Sequence, residues 1–402
     1  MFLFKIFVFF FIANTCWCLQ RTLKSQLNPG CGEKICDNIT TFYLRADGVN
    51  DTLHYLWDFY KRPSLFLAVT TTSSNLTINW NSYLSDKNDS IKFTEAPIYT
   101  FGFVINKIIE FNDTNDTGMI DKVTDSSILI LKPEYFHWTL INVVQHNTLV
   151  ELHMSGEHYH DPINNINKNG SIQIILNGFY NMNHSDVIPH MYHSENSTQI
   201  DVIINNFETS FKNSRFGFEL LTVSQSNKNL SMIIDTKKSI DDEYSPGVMT
   251  VISMKLPEDR NKTNDKGYIQ WRPVSYLSRD RLISSSTETI YYDIKNSLKL
   301  NNMSILYAYY GDDDQRNDIL IQKINVTIGV HNDGFYRNSN YSTWTFIAGY
   351  GSPPVEQFSN FVIMIIIIGM GLPIIILFIG ALYMAIRKFA RPLPDNNFTN
   401  FQ

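Results

Sequence analysis

The residues best placed for chemistry in this chain are asparagines, and the chemistry is done to them. Asn-x-Ser/Thr triplets, the acceptor signal for N-linked glycans, start at Asn38, Asn50, Asn75, Asn88, Asn112, Asn115, Asn169, Asn183, Asn196, Asn229, Asn261, Asn302, Asn325 and Asn340. All of these precede a long uncharged stretch near the C-terminus; Asn397 follows it. Cys31 and Cys36 enclose a short loop, and in an oxidising compartment they are expected to bond to each other. His153, His158 and His160, with Asp161 adjacent, could suggest zinc, since histidines two apart on a strand share a face. A solvated hairpin tip accounts for them better, and His190 and His193 read the same way. Gly311-Asp312-Asp313-Asp314 is acidic enough for calcium but lacks the loop glycine and terminal glutamate of an EF-hand. It reads as a turn. No nucleophile elbow, phosphate loop or His-Glu-x-x-His helix occurs, and no carboxylate pair is marked as a glycosidase dyad. No catalytic residue, metal ligand or cofactor is expected.

The elements that must present these groups are set by two apolar segments. Phe361 to Ile386 carries no charged residue. As a helix its 26 residues reach roughly 39 Å, against a hydrocarbon core of about 30 Å. Arg387, Lys388 and Arg391 follow at once, so the tail 387–402 faces the cytosol and everything before the span is lumenal or extracellular. At the other end Lys5, the apolar run Ile6 to Ala13 and the small residues Cys16 and Cys18 make a signal peptide, 1–18, with cleavage after Cys18. The chain reads as a type I membrane protein. Removing Lys5 (+1) and the tail's Arg387, Lys388, Arg391 and Asp395 (+2) from a net charge of -6 leaves -9 for the part between. That balance argues against nucleic acid and anionic lipid as partners.

Between the two segments the pattern is that of strands. In Asn75-Leu76-Thr77-Ile78-Asn79-Trp80 and in Ile324-Asn325-Val326-Thr327-Ile328 apolar residues alternate with the sequon residues, which puts both glycans on a wet face. Ile172–Leu176, Gln199–Ile204, Met249–Met254, Thr289–Ile294, Ile305–Tyr310 and Thr343–Ala348 also read as strands. The expected fold is an all-β, β-sandwich-like lumenal region plus one C-terminal transmembrane helix. The length favours two lumenal domains, 19–190 and 191–355, with the loop-rich Ile163–Asn169 and Asn181–Asn196 stretches as candidates for the boundary. Gln270–Tyr276 suggests a partly buried Trp271 beside Arg272.

Several stretches together resemble the glycosylated lysosomal membrane protein family. They are Leu53-His54-Tyr55-Leu56-Trp57, Ile109-Glu110-Phe111, Phe216-Gly217-Phe218-Glu219, the run Ser239 to Pro246, Gln270 to Tyr276, and Gly349-Tyr350-Gly351-Ser352-Pro353-Pro354-Val355. The resemblance implies a non-catalytic lysosomal type I glycoprotein. It further implies an accessory subunit that stabilises a major facilitator superfamily transporter of dipeptides and protects it from lysosomal proteases. A homo-oligomer is compatible with the same anchor. Two departures stand out. The further lumenal cysteines of vertebrate members are missing, and the tail has no tyrosine sorting signal. Phe398-Thr399-Asn400-Phe401 keeps that signal's spacing without the hydroxyl, so Phe398 and Phe401 are the candidate sorting residues. Within the span, Gly369, Pro373 and Gly380 form a stripe suited to docking a partner helix. Readings from other classes are a cell-surface adhesion or receptor ectodomain and a tethered lumenal hydrolase.

Overall fold

The computed structural model describes residues 20–32, 35–37, 39–238, 248, 250–257, 266–297, 299–300, 302–311, 318–355 and 360–389. The expected signal peptide, Asn38, the Ser239–Pro246 run, Asn261, Asp312 to Asp314, and Phe398 with Phe401 lie outside the described residues.

In chain order the principal strands are β1 (Thr22–Leu27), β2 (Thr41–Asp47), β3 (Thr52–Asp58), β4 (Ser64–Thr70), β5 (Tyr99–Asn112), β6 (Ile128–Leu131), β7 (His137–Gln145), β8 (Leu149–Glu157) and β9 (Ser171–Phe179). After them come β10 (Ser197–Asn205), β11 (Ser214–Gln225), β12 (Ile233–Lys238), β13 (Thr250–Lys255), β14 (Gly267–Tyr276), β15 (Ser286–Tyr291), β16 (Ile319–Ile328) and β17 (Tyr341–Tyr350). Two antiparallel ladders result. One runs β1–β2–β3–β4–β5–β11–β16, with β6 extending β5. The other runs β7–β8–β9–β10–β17–β14–β13–β12. Strand β15 pairs with both β14 and β16, joining the ladders into one continuous sheet folded on itself. Phe103 meets Phe346 at 5.4 Å and Phe218 stacks on Trp344 at 6.1 Å, so the two ladders share one core.

The centre of the first ladder is buried on both faces, so every residue of β3 and β4 is buried, His54 and Asp58 included. Leu53, Tyr55, Trp57, Leu65, Leu67 and Val69 point into the main core. Their alternates Leu56, Phe66 and Ala68 enter a second cluster. Two short helices help to build that cluster, α1 (Trp80–Leu84) and α2 (Ile305–Tyr310). Here the sequence expectation is corrected, because Ile305–Tyr310 is helical and not a strand. A segment laid on a sheet face has no edge to pair with and must satisfy its own backbone, which a helix does. Ile305, Leu306, Ala308 and Tyr310 are the buried residues of this turn-and-a-half. Leu306 drops over Gly102, where a Cβ would stand 2.4 Å from the leucine Cδ2.

The division into two lumenal domains is also corrected. A boundary after residue 190 would separate β9 from β10, which pair over Ser171 to Gly178, and β5 from β11, which pair over most of their length. The described residues up to Val355 form one compact unit. The other unit holds α3 (Asn360–Phe389), a helix that continues through Pro373, is uncharged from Val362 to Ile386 and carries Arg387 and Lys388 in its last turn.

Candidate functional site

Among the described sequons, the asparagines at Asn50, Asn75, Asn88, Asn115, Asn169, Asn183, Asn229, Asn302 and Asn340 are exposed, and Asn112, Asn196 and Asn325 are half-buried. Asn75 and Thr77 stand in solvent between Leu76 and Ile78, as the alternation requires. The second alternating stretch departs from the expectation. Asn325 is half-buried and Thr327 fully buried, because Thr327 Oγ1 donates to the Gly118 carbonyl at 3.3 Å beneath the 113–118 loop. Asn196 is engaged too, its Oδ1 accepting from Arg21 Nε at 2.8 Å.

Beneath this surface lie buried ion pairs. Glu110 on β5 is 0% exposed. Lys168 Nζ donates to its Oε2 at 2.9 Å, Ser214 Oγ donates to its Oε1 at 2.6 Å, and the Ser210 N–H donates there as well. Lys168 Nζ also donates to the Glu208 carbonyl at 2.9 Å and to Ser210 Oγ at 2.7 Å. Arg215 on β11 is ringed by carboxylates: Asp113 at 2.9 Å, Asp333 at 2.6 Å, and Asp116. Burial pushes the Asp113 carboxyl up, but the Thr117 and Gly118 N–H groups and Arg215 outweigh it and hold the group below the usual range. Each pair ties segments far apart in sequence, and Glu110 has no surface from which to meet a substrate.

The histidines do not converge. His158 and His160 are exposed, and His160 Nδ1 lies 2.7 Å from Asn167 Oδ1. Asp161 accepts the N–H groups of Ile163 and Asn164 in its own turn. His153 is 3.4 Å from Gln173 Oε1, and His190 Nδ1 is 2.7 Å from the Ser185 carbonyl. No three potential metal ligands meet among the described residues. Cys31 and Cys36 form a disulfide.

Two histidines are buried, His54 and His193, and the second corrects the expectation of a solvated tip there. His54 sits between Tyr43 Oη at 2.7 Å and Thr70 Oγ1 at 2.9 Å, and His193 stacks on Phe179 at 3.4 Å. Burial lowers His54 to about 4, helped by Arg45, and lowers His193 to about 3. Burial raises the Asp58 carboxyl to about 6 against the Tyr83 and Thr41 hydrogen bonds. Between pH 6.5 and 4 the unfolded chain binds more protons at the histidines, so acid costs stability there, about 2 kcal/mol for each at pH 5. At Asp58 the folded state binds the extra proton, so acidification through pH 6 returns about 1 kcal/mol. Denaturant titrations at pH 7 and pH 5 check this. His54→Gln is expected to shrink the loss between the two pH values, and Asp58→Asn to enlarge it; unchanged pH dependence in both would contradict the assignment.

A profile of the glycosylated lysosomal membrane protein family matches residues 40–391. The chain belongs to the glycosylated lysosomal membrane protein family. It is 26% identical over 372 residues to glycosylated lysosomal membrane protein A of Xenopus laevis, covering 90% of this chain and 89% of that one. It is 26% identical over 359 residues to the Homo sapiens protein of the family, covering 85% and 82%. Among solved structures, galactose 1-epimerase from Lactobacillus acidophilus NCFM aligns over 82% of this chain and 100% of its own, at 9% identity and a TM-score of 0.33. That likeness is too weak to carry an argument.

The described segments among those that carry the resemblance to the glycosylated lysosomal membrane protein family sit at joints of the fold. Leu53 to Trp57 forms the doubly buried strand β3. Ile109-Glu110-Phe111 supplies the buried carboxylate. Phe216 to Glu219 lies on β11 between β5 and β16, where Glu219 accepts from Asn106 Nδ2 at 2.6 Å. In Gln270 to Tyr276, the pairing with β17 slips between Trp271 and Ser275, and Pro273 occupies the bulge, where a missing N–H is tolerated. The expectation of a partly buried Trp271 is corrected: Trp271 and Arg272 are each 1% exposed, and Arg272 Nη1 donates to the Val248 carbonyl. The Gly351 N–H donates to the Lys266 carbonyl at 2.9 Å, and Gln270 Nε2 to the Pro354 carbonyl at 3.1 Å, so the chain stays tied to β14 nearly to Val355. Sequence reasoning overlooked the Glu110 and Arg215 networks. The available signal was a lone charge at an apolar position of a strand.

Proposed function

We propose that this chain is a non-catalytic, N-glycosylated type I protein of the lysosomal membrane. In this reading it acts as the accessory subunit of a major facilitator superfamily transporter of dipeptides, stabilising it and protecting it from lysosomal proteases. The observation that carries the reading is the surface, where exposed sequons are distributed over a single β unit from Asn50 to Asn340. Glycans on exposed turns cover the sites at which proteases nick folded domains. The names of the relatives, the apolar helix α3 and the family resemblance support the membrane and compartment assignment.

The test is a crosslinked pull-down of the tagged full-length protein from intact lysosomal membranes, read by mass spectrometry, with the captured transporter's half-life then followed after depletion of this chain. Recovery of a multi-span transporter that turns over faster on depletion is the expected result. A soluble extracellular ligand in its place would favour the receptor reading, and a transporter half-life that does not change would overturn the protective role.

A further inference from the structure

Asn169 and Asn340 are 171 positions apart in the sequence, yet they flank one turn. The Glu208 N–H donates to the Asn169 carbonyl at 2.9 Å, and the Asn206 N–H donates to the Asn340 carbonyl at 2.8 Å. The approach is close because Gly170, at φ +92°, has no Cβ; one added there would stand 2.2 Å from the Asn206 oxygen. Beside Asn340 opens a shallow basin of about 490 Å³ lined by Asn206, Phe207, Glu208, Thr209, Arg337 and Asn340. It is an open surface depression that leaves one face of an occupant in solvent. Its lining suits a sugar: a carboxylate, a guanidinium, an amide and a hydroxyl, with Arg337 Nε already fixed on Thr209 Oγ1 at 2.7 Å. Asn169 Nδ2 lies 3.4 Å from Glu208 Oε2. A glycosylated asparagine keeps one hydrogen on that nitrogen, so a donor for Glu208 remains after attachment.

The turn beside the basin is the lid of the buried Glu110–Lys168 pair. Lys168 Nζ donates to Glu208 and Ser210, and the Ser210 N–H donates to Glu110. The same segment exposes Glu208, Ser210 and Lys212 to solvent. A cut there would loosen the cover of a desolvated ion pair, which is costly to leave unpaired.

We propose that the first N-acetylglucosamines on Asn169 and Asn340 seat together on the Asn206–Ser210 turn, the Asn340 sugar in the basin, and deny proteases the 206–213 segment. The proposal deepens the glycan-shield reading and rests on it.

The test uses the full-length glycoprotein produced with high-mannose glycans and digested at pH 5 with a lysosomal cathepsin, with cut sites mapped by mass spectrometry. Asn169→Gln/Asn340→Gln is expected to lose intact chain about ten-fold faster than the wild type, its first cuts falling within 206–213. Asn50→Gln/Asn229→Gln is expected to stay within two-fold of the wild type. Endoglycosidase H, which leaves one N-acetylglucosamine on each asparagine of the already folded protein, is expected to preserve resistance at 206–213, and complete removal of the glycans to abolish it. Early cutting at 206–213 after endoglycosidase H overturns the seating of the first sugar. Equal rates for the two double variants overturn the special role of this pair while leaving a general shield intact. Full resistance after complete removal overturns the shield reading itself.

Discussion

Glu110→Gln is expected to destabilise the β unit by about 3–5 kcal/mol, the cost of stranding a buried charge. The size follows from the surroundings. Glu110 and Lys168 have side chains 0% and 3% exposed, so neither can turn to water when its partner is removed. A neutral amide keeps an oxygen for the Ser214 hydroxyl but offers the Lys168 ammonium no charge. With domain stabilities of about 5–15 kcal/mol, the loss is a large share of the total. Replacing both members separates the pair's own contribution from the penalty of an orphan. Glu110→Gln with Lys168→Met is expected to be more stable than Glu110→Gln alone, since an unbranched apolar side chain fills the channel without a charge. Urea titration of the three variants at pH 7 measures it. A Glu110→Gln loss below about 1 kcal/mol, the range of an exposed pair, would show that water reaches the site.

Much of the fold is written locally, and the rest depends on partners no local pattern names. Ile172–Leu176 and Thr343–Ala348 are legible as strands because alternation or a short β-branched run has one good solution when a sheet buries it. Ile305–Tyr310 has the same composition and takes the other solution, since what decides it is the hollow over Gly102, some two hundred residues earlier. The Asn181–Asn196 stretch reads as a linker because it is polar and turn-rich. Strands on either side of it nevertheless pair, and pairing is a property of both strands. Glu110 is the clearest case for the candidate site. Within Ile109-Glu110-Phe111 it looks like a solvent-facing residue of an edge strand. Only Lys168, 58 positions on, makes its burial tolerable. The sequons were readable one by one, whereas the meeting of Asn169 with Asn340 exists only in the fold.

Gly369→Ile with Gly380→Ile is expected to release the proposed transporter partner from the anchor, and Gly371→Ile to retain it. Lipid gives α3 no hydrophobic reason to associate, so a contact needs close approach or a polar group that the bilayer leaves unsatisfied. One face of α3 offers both. At about 100° per residue, Pro373 lies roughly 40° and Gly380 roughly 20° around the helix from Gly369, while Gly371 lies roughly 200° away. Pro373 lies within the helix and has no N–H, so the carbonyl four residues earlier, that of Gly369, lacks its usual donor. Gly369 has no side chain to cover that oxygen, and no side chain of α3 beyond those of its two neighbours lies within 4 Å of a Cβ built there. A donor from a neighbouring helix can reach it, and an isoleucine on this face would block the approach. Co-purification of the transporter with each full-length variant, after confirming equal membrane insertion, gives the answer. Loss in the stripe variant with retention in Gly371→Ile places the contact on this face. Equal retention in both means the β unit holds the partner and the stripe faces lipid.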